Sequence, residues 1–354
     1  MKILGFEVNH YGVFADQFVP LSPGVCILTG LNNAGKTSLL RALFSLSSSP
    51  ELPYVHPGNK SRINLIYSLE PKDLELMKPP NYASFLTGHP HEFARVKFHF
   101  VNPRFDGIDV VSADGKIANW IRQIGAQMQR VQFDSAGVMK GGQPIGAMPN
   151  NIQDINRHVP GIEKFAEIIY VPARREGADS AQATANNTLP VNGNNIASYL
   201  STLQLNETDN YEALNAIFCA NFPYLRRVNA QVVGSNVEVR VTYKDSGKAV
   251  PLSACGSGVA QLLILLTCIM QSAEDAIIAI DEPHSFLHPA AEKAFVHFLQ
   301  RYPKKTILLA THSAIMINSV APDRVLYISP SGSGTEQWLK SNKNRSGRTP
   351  AHKF

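Results

Sequence analysis

The sequence of 354 residues contains no apolar run long enough to cross a lipid bilayer. Its longest strongly apolar stretch, residues 259–270, falls short of the roughly 20 residues that a membrane-spanning helix needs. The N-terminal residues MKILGFEVNHYGVF lack the apolar centre and the cleavage site of a secretory signal. We therefore expect a cytoplasmic protein without a membrane partner.

Cysteines are few, and they lie apart from one another at positions 26, 219, 255 and 268. Because no CxxC pair is present, they fit neither the usual zinc-ligand spacing nor a disulfide framework. Reduced cytosolic thiols are the expected state.

Charged residues make up only 17% of the chain, and the net charge of +5 is concentrated at one end. Residues 340–354 contain five basic side chains and no acidic one, whereas the rest of the chain has 28 of each sign. This polar tail is typical of a disordered, solvated segment, but its charge also suits contact with nucleic acid. Both interpretations remain open.

A glycine-rich segment near the N-terminus, GLNNAGKTS, has the pattern of a phosphate-binding loop. Gly30, Gly35, Lys36 and Thr37 fit G-x-x-x-x-G-K-[ST], between the apolar strand GVCILT and a helical pattern. Glycines let backbone amides surround phosphates, Lys36 would reach the β- and γ-phosphates, and the Thr37 hydroxyl would hold Mg²⁺. The residues predicted to bind the nucleotide are Gly30, Asn32, Asn33, Ala34, Gly35, Lys36, Thr37 and Ser38.

Two acidic residues follow a second apolar strand, in AIIAIDEP. The carboxyl ends of parallel strands are where such sheets bind ligands. Asp281 would then hold Mg²⁺ through water, and Glu282 would polarise the attacking water. The alternative is that both acids cap the helix that follows.

Two further segments offer contacts for the γ-phosphate. His312 follows the apolar strand of ILLATHSA and would lie at the same sheet edge, although it could also be an ordinary polar cap. Ser257 and Gly258 begin an apolar helix within about residues 252–273, whose first amides suit an anion. A plain serine N-cap explains these two residues equally well.

The order of the elements predicts an α/β fold. Strands and helices alternate late in the chain, which predicts a parallel sheet, whereas RINLIYSLE and ARVKFHFV alternate like strands with one exposed face. We expect a P-loop NTPase with a mixed sheet, whose head comprises residues 1–48 and 166–339. Residues 49–165 would form an antiparallel and helical side lobe, in which GVMKGGQPIGAMPNN, residues 137–151, is expected to be flexible.

Taken in this order, the motifs resemble those of the ATP-binding-cassette superfamily: Walker A, signature helix, Walker B and switch histidine. GLNNAGKT, IDEPHSFLHP and LATHSA look most like the branch with RecF, the SMC ATPases and the overcoming-lysogenisation-defect (OLD) ATPases. The resemblance implies ATP and Mg²⁺ bound between two heads of a homodimer or higher oligomer. It also implies that Tyr11 and Gly12, in NHYGVF, lie near the adenine, although Tyr11 could equally be a core aromatic.

The sequence departs from this branch in several places. SACGSGVAQ replaces the transporter signature LSGGQ, and the glutamine loop has only weak candidates in Gln132, Gln143 and Gln153. YVPARR resembles an arginine-bearing strand end of OLD-like proteins but gives Arg174 and Arg175 no firm role. After His312 the carboxylates are few, so we expect no Toprim nuclease site, and no heptad run predicts the long coiled coil of SMC proteins.

The resemblance implies an ATPase whose output lies in a separate effector protein, in bacterial anti-phage defence or a toxin system. The alternative is a DNA repair or recombination ATPase that binds DNA. A non-enzymatic nucleotide-binding regulator is a third interpretation, and Glu282 argues against it because such a regulator needs no general base.

Overall fold

The computed structural model describes residues 2–46, 61–68, 93–101, 104–112, 117–124, 127–133, 139–147, 167–173, 180–182, 193, 195–285 and 287–329. The chain divides into two compact units. The first comprises Met1–Ser22, Thr29–Ala166 and Leu326–Phe354, and the second comprises Pro23–Leu28 and Glu167–Val325. Within the described ranges, no helix combines the length and the apolar character that a membrane crossing requires.

Among the residues that the structure describes, the first unit contains an eight-stranded antiparallel sheet and helix α1. In space the strands follow the order β2-β1-β4-β5-β6-β7-β8-β9. Their bounds are β1 (Lys2–Tyr11), β2 (Phe14–Pro20), β4 (Arg62–Ser68), β5 (Phe93–Val101), β6 (Arg104–Ser112), β7 (Ile117–Ile124), β8 (Gln127–Phe133) and β9 (Met139–Ala147). Helix α1 (Lys36–Ser45) follows the glycine-rich loop.

Alternating side chains explain why the central strands of this sheet form. In β5, Val96, Phe98 and Phe100 are buried, while Lys97 and His99 between them are half-buried on the other face. This is the pattern expected of a strand with one apolar face. The predicted antiparallel strands are therefore confirmed.

The prediction that residues 137–151 are flexible is wrong for the part that the structure describes. Met139–Ala147 forms strand β9, which pairs antiparallel with β8 over the register Gln127↔Ala147 to Phe133↔Met139. Its three glycines and one proline concealed the strand, because both residue types are depleted in isolated strand patterns. Pairing with a neighbour decides the structure here.

The second unit is built on the parallel sheet that the element order predicts. The sheet has the order β10-β15-β16-β3-β17. The strands β3 (Gly24–Thr29), β10 (Ile168–Val171), β15 (Ile277–Asp281) and β16 (Thr306–Ala310) pair in parallel. The last strand in the order is β17 (Val325–Tyr327), whose residues from Leu326 onward belong to the first unit. Every residue of β10, β15 and β16 is buried, as expected for a parallel sheet covered on both faces.

Helices and a small antiparallel sheet make up the rest of the second unit in the ranges that the structure describes. The helices are α2 (Ile196–Asn206), α3 (Thr208–Asn221), α4 (Ser257–Gln271), α5 (Pro289–Leu299) and the short α6 (Ala314–Ile317). The small sheet contains β11 (Ser180–Gln182), β12 (Leu225–Val233), β13 (Asn236–Tyr243) and β14 (Ala249–Pro251). Helix α4 is buried without interruption from Gln261 to Ile269, which places it in the core.

The predicted head, residues 1–48 and 166–339, has members in both units. Its loop, α1, β1 and β2 lie in the first unit, and the parallel strands with their helices lie in the second. That these residues act as one functional head therefore remains a prediction.

Candidate functional site

The glycine-rich loop has a backbone that requires glycine at two of its positions. Gly30 has φ 152° and Gly35 has φ 93°, values that L side chains rarely adopt. A Cβ atom on Gly35 would lie 2.5 Å from the Phe14 ring, and one on Gly30 would lie 2.4 Å from the Ile328 carbonyl oxygen. The loop is therefore closely packed where the pattern G-x-x-x-x-G-K-[ST] places its glycines.

Lys36 is held at the centre of this loop. Its side chain is buried, and Nζ donates hydrogen bonds of 3.1 Å to the carbonyl oxygens of Gly30 and Leu31. It begins helix α1, whose first turn contains no acidic residue. A helix N-terminus without nearby carboxylates favours an anion, and the ammonium can exchange its carbonyl acceptors for phosphate oxygens.

The other predicted members of the loop differ in exposure. Asn32 and Asn33 are exposed, and Ala34 is buried. Thr37 and Ser38 are half-buried in the first turn of α1. A phosphate group would therefore reach the helix end through the exposed part of the loop.

The turn between β1 and β2 packs against the loop. A Cβ atom on Gly12 would lie 3.5 Å from Ser38 Cβ, and the Phe14 ring borders Gly35. The Tyr11 ring is fully buried, as its interpretation as a core aromatic requires. Val13 in the same turn is 48% exposed. Contact between an adenine and Tyr11 stays a prediction.

Asp281 is the last residue of β15 and is almost fully buried. Its neighbour across the sheet is β10, from which the Tyr170 hydroxyl donates a hydrogen bond of 3.3 Å to Asp281 Oδ2. The bond fixes the orientation of a buried carboxyl group at the sheet edge. The role of Asp281 as a magnesium ligand stays a prediction.

Glu282 follows with a strained backbone. Its φ is 41°, in the left-handed region, and its N–H donates to the Ala310 carbonyl oxygen at 2.8 Å. Residues other than glycine adopt this conformation at a cost of about 1–3 kcal/mol, and such strain is concentrated at functional sites. The bond to Ala310 fixes Glu282 beside the end of β16.

His312 and a second histidine lie next to Glu282. Glu282 Oε2 is 3.2 Å from His312 Nδ1 and 3.3 Å from His284 Nδ1. Neither contact is aligned as a hydrogen bond, so that Oε2 is buried without a hydrogen-bond partner among the described residues. The structure therefore confirms that Glu282 and His312 share one edge of the sheet, as their sequence positions predict.

His284 was not among the residues predicted from the sequence. Its Nδ1 lies 2.9 Å from Thr311 Oγ1, and its Nε2 lies 3.3 Å from His312 Nε2. Burial lowers the pKa of His284, Glu282 opposes this effect, and His312 lowers the pKa further. The sequence signal was present, since His284 and His312 each follow a neighbouring parallel strand by two or three residues.

The turn that carries His312 is fixed by two hydrogen bonds. The Ser313 N–H donates to Thr311 Oγ1 at 3.0 Å, and Ser313 Oγ, which caps α6, hydrogen-bonds to the buried Glu292. His312 itself is 60% exposed in its side chain. The imidazole therefore points from an anchored turn toward solvent, where a phosphate could reach it.

Ser257 is the first residue of α4, and it is exposed, with the half-buried Gly258 after it. The N-cap is Gly256, which makes no side-chain cap bond, and the first turn contains no acidic residue. The interpretation of Ser257 as an ordinary N-cap is therefore wrong. The first amides of a 15-residue helix remain available to an anion.

Several residues with predicted roles lie outside the part of the chain that the structure describes. Arg174, Arg175, Gln153 and the tail of residues 340–354 are not among the described residues. Gln132 and Gln143 lie in strands β8 and β9, whose side chains are not described. Their roles stay predictions.

Two family models match the segments that carry these motifs. A model described as "AAA domain, putative AbiEii toxin, Type IV TA system" matches residues 164–318, and one described as "AAA domain" matches residues 1–82. The first range contains Asp281, Glu282 and His312, and the second contains the glycine-rich loop. No curated protein matches the sequence.

Solved structures of SMC heads are similar to this chain at low identity. The SMC head domain from Thermotoga maritima is 13% identical with a TM-score of 0.44, over 92% of this chain and 94% of that one. An SMC head bound to the C-terminal winged-helix domain of ScpA is 13% identical with a TM-score of 0.49, over 93% and 95%.

An SMC head from Pyrococcus furiosus, with an extended coiled coil and bound to the C-terminal domain of ScpA, is 11% identical with a TM-score of 0.49. The match covers 97% of this chain and 99% of that one. The chain thus has a mixed α/β fold with a parallel and an antiparallel sheet, and AAA-domain models match two of its segments.

Proposed function

We propose that the protein binds ATP with Mg²⁺ and hydrolyses it to ADP and phosphate. The order of the parallel sheet carries this proposal. β16 lies between β15 and β3. β3 runs directly into the glycine-rich loop, whereas β15 and β16 lead into Glu282 and His312. The carboxyl ends of neighbouring parallel strands are where such sheets bind ligands, which supports the proposal.

The available oxygen atoms suit Mg²⁺, which prefers hard ligands. Asp281 supplies a buried carboxylate, and Thr37 supplies a hydroxyl in the first turn of α1. Bound Mg²⁺ would neutralise charge on the β- and γ-phosphates. Lys36 would add a second positive charge by turning from the carbonyl oxygens of Gly30 and Leu31 to phosphate oxygens.

Glu282 is the general base of the proposed reaction. Its side chain is 22% exposed and its Oε2 accepts no hydrogen bond among the described residues, so a water molecule beside the carboxylate could donate a proton to it. His312, within 3.2 Å of that carboxylate, would contact the γ-phosphate and respond to its release.

The signature helix would complete the site of a partner chain. Ser257 and the first amides of α4 offer an anion site that is open to solvent. In the cassette arrangement that the motif order resembles, this end meets the γ-phosphate held by a second copy. The proposed assembly is therefore an ATP-dependent homodimer or higher oligomer.

The proposed output is control of a separate effector protein in anti-phage defence or a toxin system. The match over residues 164–318 to a family described by an AbiEii toxin and a type IV toxin–antitoxin system supports it. The five basic residues of the tail favour DNA binding as a second candidate. In that case, a plot of log affinity for duplex DNA against log salt concentration should have a slope of up to about −4.5. Deletion of residues 340–354 should bring that slope close to zero.

Phosphate release and binding of a fluorescent ATP analogue test the proposed activity. We expect Mg²⁺-dependent phosphate release by the full chain, and loss of analogue binding in Lys36→Ala. Lys304→Ala is the matched control, because Lys304 is 70% exposed and pairs only with the exposed Glu274 among the contacts described. Equal ATP affinity of Lys36→Ala and the control would contradict the assignment of the loop.

A further inference from the structure

Three side chains at the end of β15 and β16 place metal-binding atoms close together. Ligand atoms of Glu282, His284 and His312 all lie within 4.8 Å of one another. The Nε2 atoms of the two histidines are 3.3 Å apart. Two nitrogens bound to one tetrahedral zinc ion at about 2.0–2.1 Å are separated by about 3.3 Å, so the imidazoles already have the spacing of a shared ligand pair.

We propose that Glu282, His284 and His312 form a binding site for a divalent transition-metal ion of the zinc class, separate from the magnesium ligands Asp281 and Thr37. Two imidazoles and one carboxylate are the donor set of many zinc sites, whereas Mg²⁺ selects oxygen ligands. The exposed side of His312 leaves a fourth position for water or an anion.

The carboxylate supplies a second observation that points to a cation. Glu282 Oε2 is buried and accepts no hydrogen bond among the residues described, although two imidazole nitrogens lie within 3.3 Å of it. A buried carboxylate oxygen without a partner is costly, and a bound cation removes that cost.

Thr311 prepares His284 for the role of ligand. Its Oγ1 lies 2.9 Å from His284 Nδ1 and can accept that proton, which leaves the lone pair on Nε2. Nε2 is the atom that faces His312. A hydrogen bond to the second ring nitrogen orients most histidine ligands of metal ions.

The consequence for hydrolysis rests on the proposed function. Glu282 and His312 are the proposed general base and γ-phosphate contact, so a metal ion on them would block hydrolysis. Lys36 and Thr37 are not ligands of this ion, so ATP would still bind. A zinc-class ion would therefore act as an inhibitor of turnover and not as a competitor of ATP.

Metal binding is tested on the full, tag-free chain without nucleotide. Zn²⁺ affinity is measured by competition with a chromophoric chelator, and Co²⁺ absorption reports the geometry. We expect one ion per chain, bound at least about 10-fold more weakly by His284→Gln and by His312→Gln. His297→Ala is the control, because His297 lies on α5 with Gln300 as its described partner, and it should bind like the wild type.

Circular dichroism establishes that each variant is folded, and unfolded variants are replaced by His284→Asn or His312→Asn. Equal Zn²⁺ affinity of the wild type and folded variants of both histidines, or no binding by the wild type, would overturn the metal site and leave the ATPase proposal intact. Binding at the three residues without inhibition of phosphate release would support the metal site and count against Glu282 as the general base. Zn²⁺ inhibition that is lost in folded His284→Gln supports both.

Discussion

The Tyr170 hydroxyl on β10 donates a hydrogen bond of 3.3 Å to Asp281 Oδ2 at the end of the neighbouring strand β15. Asp281 is 4% exposed, so this bond orients a carboxylate that water can hardly reach. Tyr170 thus acts on the proposed magnesium ion through another side chain.

Tyr170→Phe should therefore weaken the binding of Mg²⁺ without changing the shape of the core. Loss of a partner to a metal ligand typically lowers metal affinity by about 10- to 100-fold, and we expect the lower end because Mg²⁺ is held mainly by phosphate. The measurement is phosphate release as a function of Mg²⁺ at constant ATP. Tyr327→Phe, at a site 45% exposed, is the control, and an unchanged Mg²⁺ requirement in Tyr170→Phe would contradict the role of Asp281.

Gly35→Ala should distort the glycine-rich loop and weaken its binding of phosphate. The added Cβ would meet the Phe14 ring at 2.5 Å in a backbone of φ 93°. Gly234→Ala is a matched control, because Gly234 also has a positive φ of 64° but nothing lies within 4 Å of its Cβ position. We expect ATP affinity to fall by at least about 10-fold in Gly35→Ala and to stay unchanged in Gly234→Ala, because only the first substitution strains the proposed phosphate-binding loop. Comparable affinities of the two variants, measured with a fluorescent analogue, would argue against the loop.

Two adjacent lysines allow a test of what stabilises the core. Lys305 Nζ is buried and donates to the carbonyl oxygens of Ser272 and Ala273 and to Ser272 Oγ, just beyond the end of α4. Lys305→Ala leaves these acceptors unpaired and should lower the free energy of unfolding by about 2–4 kcal/mol. Lys304→Ala removes only an exposed ion pair and should cost at most about 1 kcal/mol. Urea denaturation followed by circular dichroism measures the free energy of unfolding of both variants. Equal midpoints would contradict the predicted difference between them.

Mixing two inactive variants tests the proposed dimer. Lys36→Ala and Ser257→Arg homodimers should each lose activity at both sites. In a mixed dimer one site carries both substitutions and the other carries neither, so mixing should restore up to about a quarter of wild-type phosphate release. Because sites that must act together would give no restoration, ATP-dependent dimerisation is measured alongside. A Glu282→Gln protein that stays monomeric at saturating ATP in light scattering would contradict a site shared between chains.

Local sequence was sufficient to locate the glycine-rich loop, the parallel strands and helix α4. In each case consecutive residues indicate the element: Gly30 and Gly35 mark the loop, and the short apolar run of β15, rich in isoleucine, favours a buried strand. Strand β9 could not be predicted in the same way. Its residues Gly141, Gly142 and Pro144 disfavour a strand, and its pairing with β8 decides the outcome.

The contact between His284 and His312 depends on strand register. Asp281 pairs with Ala310, so the residues that follow β15 and β16 meet at one edge. The sequence shows that both strands are parallel and apolar, but it does not state the register that brings these two residues together. The position of Ser257 could not be read from the sequence either. Ser257 is the first residue of α4 and not its N-cap, because the backbone of Gly256 takes the N-cap position.

Single-turnover phosphate release by Glu282→Gln is the most direct test of the proposed ATPase. The amide keeps the shape of the side chain but cannot accept the proton of water, so the rate should fall by about 10²- to 10⁴-fold while ATP affinity is retained. Glu274→Gln, at a side chain 75% exposed, should behave like the wild type. Phosphate release near the wild-type rate in Glu282→Gln would contradict the assignment of the general base and, with it, the proposed mechanism.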